Sequence, residues 1–283
     1  MDIGVMMFPT DKAIQPIPLA VEAEQRGFGS IWFPEHSHIP SSRETPWGGR
    51  EGAPPLPEEY WRSHDQFVAL AAVAGATSSI KLATGITLVA QRDPLWLAKE
   101  VASLDMISGG RFIFGIGYGW NKEEMANHGL AYRDRRAVLR ENILACKAIW
   151  ADDEFGFEGD HVNLTPSWSW PKPTQQPHPP ILMGAAPGPR TLADIVEFCD
   201  GWMPIHGRYD ILAQLADVTK AWADAGRDPA DFRWGVFALP PDAELIEAYA
   251  AAGASWGAFG LPSAPADEVL PWLDRLAALL PST

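Results

Sequence analysis

Phe112-Ile113-Phe114-Gly115-Ile116-Gly117-Tyr118-Gly119-Trp120-Asn121-Lys122-Glu123 runs from an apolar stretch through three alternate glycines into an acidic helix start. The order predicts a strand, a tight corner and a helix. Glycines at a strand end remove side chains, so backbone N–H groups can approach an anion or a flat ring, and the positive end of the following helix points the same way. The same glycines also suit a bare strand-to-helix corner, and for this segment alone both readings stand. A dinucleotide fingerprint would need glycine where Trp120 is. The position of the turn along the chain is what decides the fold class.

The turn follows the fourth of eight short apolar runs: Ile3 to Phe8, Ser30 to Phe33, Ile80 to Leu88, Phe112 to Ile116, Pro180 to Met183, Gly201 to Pro204, Arg233 to Ala238 and Trp256 to Gly260. Continuous apolar runs of this length are what strands covered on both faces require. Helical stripes lie between them, such as Leu139, Ile143, Cys146, Ile149 and Trp150, or Val269, Leu270, Leu273, Leu276 and Leu280. Pro16 and Pro18, Pro94, and Pro189 open helices. Eight β-α units of about 30 residues predict an α/β fold, a (β/α)8 TIM barrel formed as one domain over residues 1–283. A doubly wound open sheet is the alternative, but it carries its glycine turn after the first strand.

A barrel places its chemistry on the loops that follow its strands. Pro34-Glu35-His36-Ser37-His38 follows the second strand and leads into a Pro/Gly-rich, lid-like loop over residues 37–61, too long for a bare connection. Thr87 to Asp93 follows the third strand, the glycine turn the fourth, and Gly184-Ala185-Ala186-Pro187-Gly188-Pro189-Arg190 the fifth, the last as an anion seat at a helix start. Gly109-Gly110-Arg111 precedes a strand and reads as a helix stop, with Arg111 pairing with Asp105. The Pro-rich stretch from Phe155 to Pro180 reads as a connection around the bottom or side, with its Trp pair available to an interface.

The ordered set Phe33-Pro34-Glu35-His36, Leu82-Ala83-Thr84-Gly85-Ile86-Thr87, Asp93-Pro94-Leu95-Trp96-Leu97-Ala98-Lys99-Glu100, Leu104-Asp105-Met106-Ile107-Ser108-Gly109-Gly110-Arg111, the glycine turn, Pro179-Pro180-Ile181-Leu182-Met183-Gly184 and Asp200-Gly201-Trp202 resembles the bacterial luciferase-like superfamily, in its deazaflavin (coenzyme F420)-dependent oxidoreductase branch. The resemblance covers nearly the whole chain. It implies a barrel, often a homodimer, that binds a deazaflavin or flavin across its mouth and transfers hydride to or from a small organic substrate. It also implies a non-proline cis bond at Gly85-Ile86 behind the ring. His36 matches the histidine near the reactive ring carbon, where an imidazole can move a proton. Gly85, Ile86 and Thr87 match the backing of the cofactor, Gly117, Tyr118 and Gly119 the turn under it, and Gly184, Ala185 and Ala186 the loop that receives its phosphate. Sugar-phosphate dehydrogenases of this group carry an acid where Trp120 stands. Glu35 and Glu123 are the substitutes, Glu123 also reading as a partner of its own helix dipole. Trp47, Trp61, Arg92 and Trp120 are the candidate substrate contacts, and Arg92 and Arg190 could instead grip a cofactor phosphate or pair with surface carboxylates.

Three functional readings follow: a deazaflavin-dependent oxidoreductase, an FMN-dependent monooxygenase using reduced flavin and O2, and a flavin-binding protein without catalysis. A formal charge of −14 argues against nucleic acid and anionic membrane surfaces as partners. His36-Ser37-His38 lacks a third clustered donor, so no metal is expected, and neither a G-x-S-x-G elbow nor a G-K-[ST] loop occurs. The 13 Trp suit a cavity or interface. Cys146 and Cys199 read as buried small hydrophobes, and the amino terminus starts a strand rather than a signal peptide, which places the protein in the cytoplasm.

Overall fold

The computed structural model describes residues 1–280. Ten strands occur in chain order: β1 (Asp2–Met6), β2 (Ser30–Phe33), β3 (Lys81–Thr84), β4 (Phe112–Ile116), β5 (Glu154–Glu158), β6 (Asn163–Trp168), β7 (Ile181–Met183), β8 (Gly201–Trp202), β9 (Arg233–Phe237) and β10 (Trp256–Gly260). Eight of them close a parallel barrel in the order β1-β10-β9-β8-β7-β4-β3-β2. These are the eight runs expected from the sequence. The barrel, not the open sheet, is the fold.

Alternation along each strand divides the core in two, because successive side chains point to opposite faces. Trp32, Ala83, Ile113, Leu182, Phe237 and Ala258 pack together in one cluster, the barrel interior. Their neighbours Ile31, Phe33, Leu82, Phe112, Phe114, Ile181 and Met183 belong to the second cluster, shared with the surrounding helices. The interior is therefore plugged, with Trp32 edge-on to Phe237 at 5.1 Å between ring centroids. The cavity at the strand ends lies above this plug.

Two expectations are corrected. The stretch after Trp150 is not a bare connection, since β5 and β6 form an antiparallel hairpin. Glu141, on the helix Arg135–Ala151, accepts from the backbone N–H groups of Asp160, His161 and Val162 and so holds the hairpin turn. Arg111 does not pair with Asp105. Its guanidinium donates to the carbonyls of Ala74, Thr77, Ile80 and Ser108, while Asp105, fully buried, accepts from Gln175 N and Nε2 at 2.8 and 2.6 Å. Both side chains satisfy backbone groups that would otherwise be stranded beneath the barrel.

Glu24 serves the same purpose on the helix Pro16–Gln25, accepting from the N–H groups of Ser78, Ser79 and Ile80 ahead of β3. Burial pushes its carboxyl pKa up, but these donors outweigh burial and hold it at about 2, against an ordinary 4.5. Because the folded value is depressed, this contribution is complete above pH 4.5 and is lost as pH falls toward 2. Glu24→Gln is expected to cost about 1 kcal/mol at pH 7. Denaturant melts of the two proteins should converge as pH is lowered through that window.

Candidate active site

The loops after β2, β3, β4 and β7 meet above the plug and enclose a cavity of about 260 Å³, open to solvent on one side. Small-molecule pockets commonly begin at roughly 300 Å³. Its floor is built by missing side chains. A Cβ on Gly85 would lie 2.1 Å from Phe237 Cζ, one on Gly117 2.7 Å from Ile86 Cδ1, and one on Gly184 2.4 Å from Ile86 Cγ2. Gly117 and Gly184 thus make room for one side chain, Ile86, which forms an apolar bed at the centre, and Gly85 makes room for Phe237 beneath it. The Gly85-Ile86 peptide is cis. Gly119 turns the chain at φ +73°, a conformation that favours glycine, and a Cβ there would meet Met125 Cε at 2.5 Å. The glycine turn is therefore both a corner and a cavity wall.

His36 stands beside this floor, its side chain 5% exposed. Its Nδ1 lies 2.8 Å from Oε2 of Glu124, a fully buried carboxylate. A carboxylate only accepts, so Nδ1 carries the hydrogen and a neutral ring keeps its lone pair on Nε2. The other oxygen of Glu124 accepts from Ser37 N at 3.2 Å, and Asn121 Oδ1 caps the short helix Lys122–Asn127 by accepting from Glu124 N. The glycine turn of β4 and the loop after β2 are pinned together by this one residue.

An aromatic wall covers the imidazole. Tyr60 lies 5.2 Å and Trp120 5.7 Å from its centroid, with Trp47 and Phe8 packed on Tyr60 at 5.7 and 4.6 Å. Burial pushes the Tyr60 phenol up from its ordinary pKa. At the opposite end, the Tyr118 hydroxyl donates to Asp194, and the Arg136 guanidinium stacks on the Tyr118 ring at 3.7 Å. Burial, then the bond to Asp194, raises the Tyr118 pKa, and burial likewise raises that of Asp194 against the pull of Tyr118 and Arg136. These groups surround the start of the helix Pro189–Phe198, whose first N–H groups follow Gly184 and Ala185.

Of the residues expected from the sequence, His36, Glu35, Trp47, Gly85, Ile86, Gly117, Tyr118, Gly119, Trp120, Gly184 and Ala185 line this cavity. Four do not. Thr87 is buried behind it, its hydroxyl accepting from Gln66 Nε2 at 2.9 Å, and Ala186 is exposed beyond it. Trp61 is 48% exposed over a separate depression with Ile39, Pro40 and Leu56. Arg92 is engaged by Glu35, Glu100 and Asp65. Glu35 has both oxygens taken, by Arg92 Nε at 2.7 Å and Leu88 N at 2.6 Å, so it clamps the loop after β3. Glu123 accepts from Glu44 N and Thr45 N and ties the lid-like loop to the same short helix. His38 turns away from His36 toward Ser37 and Asn127. Sequence reasoning missed Glu124, Tyr60, Phe8 and Arg208. For Glu124 the capping Asn121 marks the helix start, but no spacing in the sequence directs its carboxylate to His36.

The profile of the luciferase-like monooxygenase family matches residues 13–270. The chain belongs to that family. It is 37% identical to the Mycobacterium tuberculosis protein named Uncharacterized protein Rv0953c, over 99% of each chain. It is 29% identical to an F420-dependent hydroxymycolic acid dehydrogenase of the same organism, over 80% of this chain and 59% of that one. A Pseudomonas putida FMNH2-dependent dimethylsulfone monooxygenase is 30% identical over 64% of this chain and 50% of its own. Among solved structures, monooxygenase RslO1 from Streptomyces bottropensis superposes with a TM-score of 0.78 at 21% identity, covering 99% of this chain and 98% of that one. An F420-dependent secondary alcohol dehydrogenase does so with 0.77 at 18%, with the same coverage. The family is one of oxidoreductases and monooxygenases with both F420-dependent and FMN-dependent members.

Gly184→Ala is expected to displace Ile86 and cost about 1–3 kcal/mol of stability. In an Ile86→Ala background the cost should fall, leaving only the tight approach to the Ile116 carbonyl at 3.3 Å, which a double-mutant cycle of urea melts would measure.

Proposed function

We propose that this protein is a deazaflavin (coenzyme F420)-dependent oxidoreductase acting on a small organic substrate. The observation that carries the reading is His36, held by a buried carboxylate on one nitrogen and lining a ring-sized cavity. Gly85, Ile86, Gly117, Tyr118 and Gly119 would hold a planar ring over the apolar bed, with Thr87 fixing the backbone behind it. Gly184, Ala185 and Ala186, with the helix start, Thr191 and Arg136, would hold its anionic tail. When bound, the deazaflavin supplies a ring carbon that gives or takes hydride.

The chain's own part is proton handling and exclusion of water. Nε2 of His36 takes the proton a substrate loses as hydride leaves it, or returns one in the reverse direction. Glu124 stabilises the imidazolium so formed and fixes the ring orientation, the part a buried carboxylate plays for any catalytic histidine. Phe8, Trp47, Tyr60 and Trp120 exclude water and favour an apolar or aromatic substrate, with residues 37–61 acting as the lid. Arg92, bound by three carboxylates, supports the site through Glu35.

An FMN-dependent monooxygenase is the second reading, supported by the likeness to the dimethylsulfone enzyme. A flavin-binding protein without catalysis would suit a histidine remote from the cavity, and His36 lines it. Oxidised deazaflavin is expected to bind more tightly than FMN in fluorescence titrations, and a clear preference for FMN would reverse the order. His36→Ala should slow cofactor reduction about 100-fold with little change in cofactor affinity. Equal loss of rate and affinity would make His36 a binding residue.

The same reading takes the protein as a cytoplasmic homodimer. Cys146 and Cys199 are buried and unpaired. Val68, Trp96 and Trp168 are 71%, 70% and 77% exposed, and Lys99 Nζ donates to the carbonyl of Trp170, which gathers the Trp pair beside the helix Pro94–Ile107. An apolar surface of this kind suits a second copy of the chain. Trp96→Glu is expected to convert dimer to monomer in light scattering.

A further inference from the structure

A second cavity, of about 360 Å³, borders the first and shares Glu35, His36 and Leu88 with it. Apart from Leu88, every side chain lining it is polar or charged, and its far wall includes Ser37, His64 and His128. A cavity of this size and polarity holds water. The short helix Lys122–Asn127 links its two ends. Glu124, at the start, holds His36, and His128, four residues on and therefore on the same face, caps the helix and is exposed. Between them Ser37 gives its N–H to Glu124 and places its hydroxyl 2.7 Å from His128 Nε2 and 2.9 Å from His38 Nδ1.

We infer that this second cavity is the route by which His36 exchanges its proton with solvent while substrate and cofactor cover the first. The inference rests on the proton role proposed for His36. A site that excludes water during the reaction still has to restore its base before the next turnover, and the ligands themselves block the front exit. In the forward step the substrate proton goes to Nε2 of His36, giving the imidazolium. That proton then passes to water in the second cavity, from there to His128 or the adjoining Ser37 and His38, and finally to bulk. No electrons move along the route. The wall carries two carboxylates, Glu35 and Asp65, against the single guanidinium of Arg92, so a passing positive charge is tolerated there.

The experiment uses full-length protein with 15N-labelled histidine, in which magnetisation transfer from water measures exchange of the Nε2 proton of the protonated His36 ring, resolved from the Nδ1 proton bonded to Glu124. It is run alone and with oxidised deazaflavin or FMN, whichever binds. With the cofactor bound, exchange in the wild type should fall by no more than about threefold. Ser63→Leu, which fills the second cavity, and His128→Ala should each slow it about tenfold, an effect on the small side for removing a proton-transfer partner. Added imidazole should restore exchange in His128→Ala. Persistence of the His36 ring signal reports that its bond to Glu124 is intact. If Ser63→Leu loses that signal, His128→Asn, at an exposed helix end, decides instead. Unchanged exchange in these variants, or its arrest in the wild type when the cofactor binds, would overturn the route. Normal cofactor reduction in His36→Ala would instead remove the proton role of His36 and leave the exchange result standing.

Discussion

One hydrogen bond, from His36 Nδ1 to the buried carboxylate of Glu124, organises the mouth of this barrel. It crosses between the loop after β2 and the helix after β4, which closure of the sheet brings side by side with only β3 between them. Without it the imidazole has no fixed tautomer, and the loop after β2 is tied to the helix after the glycine turn only through Ser37, His38 and the Glu44 and Thr45 backbone. A carboxylate with no exposure is costly unless its acceptor sites are filled, and here the imidazole and Ser37 N fill them. The arrangement fixes which nitrogen carries the hydrogen and which keeps its lone pair.

The floor depends on a subtraction. Gly85, Gly117 and Gly184 come from the ends of three different strands, and each lacks the one atom that would collide with Phe237 or Ile86. Their common effect is a flat apolar surface above a plugged barrel. The polar clamps around it, Glu35 with Arg92 and Tyr118 with Asp194 and Arg136, hold the surrounding loops, with Glu35 and Tyr118 themselves lining the cavity. A glycine-built floor, an oriented histidine and an aromatic cover are the parts the proposed hydride transfer would use, and each traces to a short run of sequence.

The barrel was legible because apolar strand runs and helical stripes repeat eight times, and the position of the glycine turn excluded the open sheet. The hairpin of β5 and β6 was not, since only Phe155 of β5 is buried and Pro166 interrupts the alternation that marks a strand. At the site, glycines and His36 stood out by type and place. Glu124 did not, because two adjacent acids at a helix start both read as dipole partners, and only the packed structure turns Glu123 toward Thr45 and Glu124 toward His36. The same one-residue ambiguity separates Tyr60 from Trp61. Neighbours on a helix point about 100° apart, so in Glu59–Arg62 Tyr60 meets the cavity and Trp61 faces solvent. Arg92 was legible as a cation on a site loop, but its partners come from three distant segments that sequence spacing does not connect.

The most direct test is a crystal structure of the protein soaked with oxidised deazaflavin. The account predicts a planar ring lying on Ile86, bordered by the turn at Gly117, with Nε2 of His36 turned toward its reactive face and Nδ1 still bonded to Glu124. A ring bound elsewhere, or one that leaves His36 turned away from it, would contradict the account.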